Sequence, residues 1–265
     1  PALPDALGDD ERARVWSLCR NGRREFNHIV EDKLRTLLDP KLVGDAPVLH
    51  CVVPGKLDRV CELRRADGPL LYVKYAGETA EAGAVGRPFE PKPRRRLSCE
   101  RRAIKCLRAV LPGDVVELAE IAAFDKALSL LELGEVCAGG ESLQDQLRAG
   151  RFDVRIAAQA GRFLAACHGL RDGVPALWGE AKTDLRHWQA MLDLRTIGIA
   201  SALLSPRLHA DVQRLRTASD AARRKGFFLL DAAPKNIRVS GYGIGIIDLE
   251  LCSSQGDPAY DLGLL

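Results

Sequence analysis

The most informative stretch of this sequence is Phe227–Glu250, FFLLDAAPKNIRVSGYGIGIIDLE, because it places acidic residues at the ends of two apolar runs. Asp231 follows Phe-Phe-Leu-Leu, Asn236 comes five residues later, and Asp248 follows Ile-Gly-Ile-Ile. Buried strands rarely keep charge, since an unpaired carboxylate in apolar surroundings is costly. We therefore predict that Asp231 and Asp248 lie at strand ends and take part in chemistry.

The composition is that of an ordinary globular protein. The chain has 265 residues, of which 46% are hydrophobic and 28% charged, enough for one large domain or two lobes. A net charge of +3 gives little support for a polyanionic partner. The sequence has no apolar run of the roughly 18 residues that a membrane span needs, and its N-terminal segment lacks the layout of a secretory signal. We expect a cytoplasmic protein without a membrane partner; the oligomeric state stays open.

The eight cysteines are scattered and form no C-x-x-C pair. Small buried apolar residues in a reducing cytosol explain them better than disulfides or a metal site. The isolated histidines His50, His168 and His209 are likewise interpreted as structural. The cysteines are Cys19, Cys51, Cys61, Cys99, Cys106, Cys137, Cys167 and Cys252.

Apolar spacing and turn residues divide the chain into three regions. Residues 1–40 carry a helical pattern and are predicted as an N-terminal helical extension. Residues 41–133 form the predicted first lobe, with strands around PGKLD and in LYVKY, a helix capped by Ser98, and a strand in KALSLLEL. Residues 134–265 form the predicted second lobe, which is mostly helical from 151 to 224 and returns to short strands near its end.

Three features of the predicted first lobe are compatible with nucleotide binding, although each has a simpler explanation. Gly55 would let backbone N–H groups approach a phosphate, but it is also an ordinary hairpin glycine. Lys74 lies in an apolar strand, where it either pairs with a partner or points to solvent by alternation. Glu100 opens the next helix and could pair with Lys74 across a cleft, or simply complement the helix dipole.

The fourth feature is the D-x-x-x-x-N spacing of Asp231 and Asn236, followed twelve residues later by Asp248. Phosphoryl transfer needs a carboxylate that orients and deprotonates a hydroxyl, and oxygen ligands that hold Mg²⁺ against the phosphates. Each residue alone could be a turn former. All three in this order, behind a strand lysine and a helix glutamate, favour phosphoryl transfer.

These motifs resemble the aminoglycoside phosphotransferase/choline kinase family of small-molecule kinases, over about residues 48–265. That family has H-G-D-x-x-x-x-N, I-D-x-E and G-D-P-x-x-D-L, and this chain has LLDAAPKN, IIDLE and GDPAYDL. The resemblance implies an α+β, bilobal, protein-kinase-like fold with a β-rich N-lobe and a mainly helical C-lobe. Relatives continue through further helices beyond the point matching Leu265, so the resemblance also implies a truncated or small C-lobe.

The resemblance also assigns the central roles. Asp231 would be the catalytic base, and Asn236 and Asp248 the magnesium ligands. Lys74 would hold the α- and β-phosphates of ATP and pair with Glu100.

Supporting roles follow from the same resemblance. Glu132 and Leu133 would lie in the hinge that contacts adenine. Asp257 and Asp261 would support the catalytic loops, and His168 would be a structural member of the preceding helix.

The sequence departs from the family pattern at Leu229 and Leu230, which replace its His and Gly, and its nucleotide loop contains only Gly55. The leading prediction is an ATP- and Mg²⁺-dependent phosphotransferase acting on a hydroxyl of a small molecule. The departures keep open an alternative, a weak or inactive kinase-like module that binds nucleotide for regulation. Nucleic-acid binding through KPRRRLSCERR is disfavoured, because a basic run without aromatic residues is typical of a solvated surface.

Overall fold

The structure, a computed structural model, describes most of the chain after residue 47. The predicted helical extension over residues 1–40 and the turn glycine Gly55 lie outside the described residues. By their contacts the described residues form two compact units, one rich in strands and the other mainly helical. The described ranges are 48–54, 59–64, 70–75, 93–126, 130–171, 173–193, 206–241 and 243–265.

The elements alternate between short strands and longer helices. The strands are β1 (Val48–Pro54), β2 (Arg59–Arg64), β3 (Leu71–Tyr75), β4 (Glu117–Leu118), β5 (Ile121–Asp125), β6 (Leu130–Gly134), β7 (Glu141–Ser142), β8 (Arg224–Phe228), β9 (Ile237–Ser240), β10 (Gly243–Ile246) and β11 (Ser253–Gly256). The helices are α1 (Pro93–Val110), α2 (Leu143–Arg148), α3 (Val154–Gly169), α4 (Ala181–Asp193), α5 (Pro206–Ala221) and α6 (Pro258–Leu264). Short 3₁₀ turns cover Pro234–Asn236 and Leu249–Leu251.

The first unit contains an antiparallel sheet in the order β1-β2-β3-β6-β5. The predicted strands β1 to β3 are confirmed. The KALSLLEL strand is confirmed over the described residues of β6, Leu130–Gly134, and the preceding strand β5 was not predicted. Two of the five residues in its IAAFD sequence are alanines, which have a low strand preference, so pairing with β6 favours this strand more than local preference does.

Helix α1 differs from its prediction in two ways. It begins at Pro93, so Ser98 lies inside it and is not its N-cap. Proline suits a first helical position, and the burial of Arg96 and Leu97 favours this earlier start. The predicted first lobe, 41–133, includes α1, whereas the contacts group α1 with residues 135–265.

Two small sheets in the second unit carry the predicted functional loops. One has the order β4-β10-β9-β7, and in the other β8 pairs with β11. Asp231 therefore follows β8 and Asp248 follows β10, at the ends of strands as predicted. Gly245 of β10 allows close packing, because a Cβ there would lie 2.2 Å from Val136 Cγ1.

The core of the second unit is apolar and includes cysteines. Helix α3 buries residues at helical spacing, among them Ile156, Phe163 and Cys167. All five cysteines whose side chains are described are buried and unbonded to one another: Cys99, Cys106, Cys137, Cys167 and Cys252. Burial raises the pKa of the Cys99, Cys167 and Cys252 thiols well above the ordinary value, so they stay protonated and act as small apolar residues. Among the described helices, none has the length and apolar character of a membrane span.

Candidate active site

The loop after β8 joins Asp231 to Asn236 by side-chain hydrogen bonds. The Asn236 amide donates to the Asp231 carbonyl oxygen at 2.9 Å and to its carboxylate Oδ2 at 3.0 Å. The turn at Pro234 brings the chain back, and the Asn236 N–H donates to the Ala233 carbonyl at 2.8 Å. Both side chains are buried. The hydrogen bond from the Asn236 amide therefore orients the Asp231 carboxylate within the loop.

A second group, not singled out from the sequence, contacts the same carboxylate. The Lys235 ammonium Nζ lies 3.1 Å from Asp231 Oδ2, and the lysine side chain is 52% exposed, against 7% for the aspartate. Its i,i+4 spacing from Asp231 was the available sequence signal. The buried carboxylate of the predicted base therefore contacts a cation that is half exposed to solvent.

Asp261 holds the backbone directly before Asp231. Its Oδ2 accepts from the Leu229 N–H at 2.9 Å, and its Oδ1 accepts from the Leu230 N–H at 2.8 Å. His168 Nε2 lies 3.0 Å from Oδ2, and its ring stacks on Phe228 with centroids 5.0 Å apart. The Asp261 carboxylate is fully buried, and these hydrogen bonds offset the free-energy cost of removing it from water.

Leu230 adopts a left-handed backbone conformation with φ of 59°, at the position that the family pattern fills with glycine. This conformation costs a non-glycine residue about 1–2 kcal/mol. The Leu230 side chain is fully buried in a cluster with Trp188, Met191, Leu192 and Phe228. Burial of a leucine side chain contributes about 1.5–3 kcal/mol, which offsets the strain.

The loop after β10 brings acidic oxygens together. Asp248, Glu100 and Glu250 each offer one carboxylate oxygen, and these oxygens lie within 4.8 Å of one another. The Asn236 carbonyl accepts from the Ile247 N–H at 3.0 Å, which places Asp248 next to the Asp231–Asn236 loop. Hard oxygen donors at this separation fit Mg²⁺, so these residues could hold the ion.

The segment that follows Asp248 is fixed by buried side chains from other elements. Arg96 Nη1 donates to Glu250 Oε1 at 2.9 Å. His187 Nε2 donates to the Leu251 carbonyl at 2.8 Å, and Trp178 Nε1 donates to the Cys252 carbonyl at 2.9 Å. Burial lowers the pKa of His187 to about 4, so its imidazole is neutral at neutral pH.

Asp184 connects the same region to helix α4. It is fully buried and accepts from three backbone N–H groups, of Leu177 at 3.0 Å, Trp178 at 2.8 Å and Ser254 at 2.9 Å. Asp184 was not predicted as a functional residue, because an aspartate near a helix start is an ordinary capping pattern. Its partner Ser254 is 70 residues distant in the sequence.

The predicted nucleotide-binding residues of the first unit lie on two paired strands. Lys74, Glu132 and Leu133 are all buried, and the register pairs Val73 with Glu132 and Lys74 with Leu131. The predicted contact between Lys74 and Glu100 would join the two units and stays a prediction. The predicted phosphate contact of Gly55 also stays a prediction.

An apolar pocket borders the loop after β8 and includes Asp231 and Asn236 in its lining. Low-polarity walls beside a carboxylate strengthen its electrostatic interactions relative to water. The apolar lining includes Phe163, Leu164, Leu229, Ile246 and Leu265.

The antiparallel sheet, the loops after β8 and β10, and the supporting Asp261 define the class as a phosphotransferase with a protein-kinase-like fold. Residues 70–265 match the phosphotransferase enzyme family, and the chain belongs to it. No curated protein matches the chain significantly in sequence.

Solved structures show the same fold at low sequence identity. The macrolide 2'-phosphotransferase MphH from Brachybacterium faecium is 17% identical with a TM-score of 0.56, over 87% of this chain and 76% of that one. A choline/ethanolamine kinase family protein from Mesorhizobium loti is 21% identical with a TM-score of 0.51, over 89% of this chain and 69% of that one. The protein-kinase-like α+β fold predicted from the sequence is therefore confirmed.

Proposed function

We propose that the protein is an ATP- and Mg²⁺-dependent phosphotransferase that phosphorylates a hydroxyl group of a small molecule. The observation that carries this proposal is the direct connection between base and metal ligands. Asp231 is hydrogen-bonded to Asn236, whose carbonyl is bonded to the residue before Asp248. A phosphoryl group held at the metal ligands would lie beside the carboxylate that activates its acceptor.

Asp231 orients the acceptor hydroxyl and accepts its proton. The hydroxyl oxygen forms the new bond to the γ-phosphorus, while the bond to the bridging oxygen breaks and ADP leaves with that electron pair. The Asn236 amide, bonded to Oδ2, keeps the carboxylate in position for this transfer. Asp261 holds the backbone of the two preceding residues, so the base is fixed from both sides.

Asn236 and Asp248 would hold Mg²⁺, with Glu100 and Glu250 as the nearby carboxylates. Bound there, Mg²⁺ would neutralise the phosphate oxygens and the leaving ADP. In the first unit, Lys74 and Gly55 would contact the phosphates.

The structural neighbours support a nucleotide and a small-molecule acceptor. An aminoglycoside phosphotransferase, APH(2'')-Ib, was crystallised with ADP and has a TM-score of 0.52 at 12% identity, over 84% of this chain and 71% of that one. MphH is a macrolide phosphotransferase. Glu132 and Leu133 on β6 would contact adenine through the backbone in this proposal.

The test compares the parent with Asp231→Asn, Asp248→Asn and the control Asp114→Asn, whose residue is exposed and distant from the loops in sequence. Binding of MgATP is measured by calorimetry, and turnover by ATP hydrolysis and by transfer to a panel of hydroxylated metabolites and antibiotics. Asp231→Asn should keep MgATP affinity and lose about 10²–10⁴-fold in turnover, the range for a positioned general base. Asp248→Asn should lose metal-dependent affinity, and Asp114→Asn should match the parent.

The alternative is a kinase-like module that binds nucleotide without catalysis, favoured by Leu229 in place of the family's histidine. A parent that binds MgATP but turns over no faster than Asp231→Asn with every acceptor supports this alternative. Equal ATP affinity with and without Mg²⁺ also argues against the phosphotransferase.

A further inference from the structure

We propose that Lys235 is a catalytic residue, a cation that contacts the oxygens of the phosphoryl group during transfer. This inference rests on the proposed function. The observation is the 3.1 Å contact between Lys235 Nζ and Asp231 Oδ2, on a side chain that is half exposed. The chain thus places a lysine ammonium against its predicted base.

A short turn of the backbone places Lys235 beside Asp231. The lysine lies in the 3₁₀ turn Pro234–Asn236, between the proline that begins the turn and the asparagine that ties it to Asp231. The asparagine is buried while the lysine beside it is exposed. The ammonium therefore contacts the same Asp231 oxygen as the Asn236 amide, from a side chain that is half exposed to solvent.

Stability alone does not account for a lysine at this position. A pair with one largely exposed partner contributes little to folding, because solvent screens the charges and the long side chain loses freedom. Asp231 already has its carboxylate fixed by the Asn236 amide. A chemical role explains why a flexible cation is directed at the same oxygen.

Phosphoryl transfer develops negative charge that a nearby cation would stabilise. When the acceptor oxygen attacks, its proton passes to Asp231, and negative charge spreads over the three oxygens of the transferred phosphoryl group. An ammonium has three donors, so Lys235 can keep its contact with Asp231 and donate to a phosphoryl oxygen at the same time. The contact strengthens as charge develops, so it lowers the barrier more than it raises ground-state affinity.

The experiment uses Lys235→Met, which keeps much of the side-chain length without charge, and Lys235→Arg, which keeps the charge. The matched control is Lys225→Met, an exposed lysine on β8. Each protein is titrated with MgADP alone and with MgADP plus aluminium fluoride, a mimic of the transferred phosphoryl group. Steady-state ATP hydrolysis gives kcat and KM, and thermal unfolding checks the fold.

Lys235→Met should bind MgADP within about twofold of the parent. It should lose about 10²-fold in kcat, as when one donor to a developing negative charge is removed, with a similar weakening of the aluminium fluoride complex and little change in KM. Lys235→Arg should recover part of both losses, and Lys225→Met should match the parent.

A Lys235→Met protein that keeps the parent's kcat and aluminium fluoride affinity overturns the inference, while the proposed function stands if Asp231→Asn still loses turnover. Equal weakening of MgADP alone and with aluminium fluoride, or a lowered unfolding temperature, also overturns it, because a structural role would affect both complexes. A parent that binds no MgADP removes the proposed function and the inference together.

Discussion

His187 should make the folded protein sensitive to acid, because the folded structure holds it neutral. The imidazole is 1% exposed, and its Nε2 donates to the Leu251 carbonyl beside the predicted metal loop. Burial lowers its pKa to about 4; Arg96 adds to this effect, while the Leu251 hydrogen bond and the Asp184 carboxylate oppose it. The unfolded chain would bind a proton on this residue near the ordinary value of 6.5.

The direction and size of the effect follow from that difference. Above about pH 6.5 both states are neutral at this residue and it makes no pH-dependent contribution. Between about pH 6.5 and about 4, the unfolded state binds a proton that the folded state does not, so the free energy of unfolding falls as the pH falls. At about 1.4 kcal/mol for each pH unit, the total loss is about 3 kcal/mol by pH 4.

The measurement is urea unfolding followed by tryptophan fluorescence at pH values from 7.5 to 4, for the parent and for His187→Gln. Glutamine can still donate to Leu251, but it has no charge to gain. The stability difference between the two proteins should therefore shift by about 3 kcal/mol in favour of the variant as the pH falls. A difference that stays constant across this range refutes the reasoning, since every other titrating group is common to both proteins.

Two further substitutions test the supports of the loops. Leu230→Ala should cost about 2–5 kcal/mol of stability from the lost packing. Leu230→Gly should have a free energy of unfolding within about 1 kcal/mol of that of the alanine variant, since relief of the left-handed strain offsets the added flexibility of glycine. Urea unfolding in which the glycine variant is less stable than the alanine variant by about 2 kcal/mol contradicts the strain argument. Asp184→Asn should lose at least about 1.5–3 kcal/mol, because an amide cannot accept at both of its ends; an unchanged urea midpoint at pH 7 is the contrary result.

Local patterns in the sequence were sufficient to predict most of the described strands and the positions of Asp231 and Asp248 after two of them. Asp231, Asn236 and Asp248 lie at strand ends because two apolar runs separated by turn residues can form only short strands there. The five-residue spacing singled out Asp231 and Asn236, and the hydrogen bonds between them are a finding of the structure. The positions of these residues are set by local sequence within 24 residues, whereas their chemical roles stay predictions.

Interactions between distant segments could not be predicted in the same way. Ser98 has the local signature of a cap, yet the helix begins five residues earlier, where Arg96 makes an ion pair with Glu250, 154 residues away. The same limit applies to the contact of His187 with Leu251, 64 residues along the chain, and to that of Asp184 with Ser254, 70 residues along. Their sequence surroundings are those of any amphipathic helix, and only tertiary packing gives them a role.

Leu229 and Leu230 replace the family's histidine and glycine without removing the backbone hydrogen bonds made at these two positions. Asp261 binds the N–H groups of both residues, and every amino acid except proline supplies that donor. The Leu229 side chain lines the apolar pocket beside Asp231, and the Leu230 side chain fills the core. The two leucines therefore change the side chains packed near Asp231, while the backbone hydrogen bonds from Leu229 and Leu230 to Asp261 stay in place. Packing of Leu230 in the core stabilises its left-handed conformation, so the backbone directly before Asp231 is held without the family's glycine.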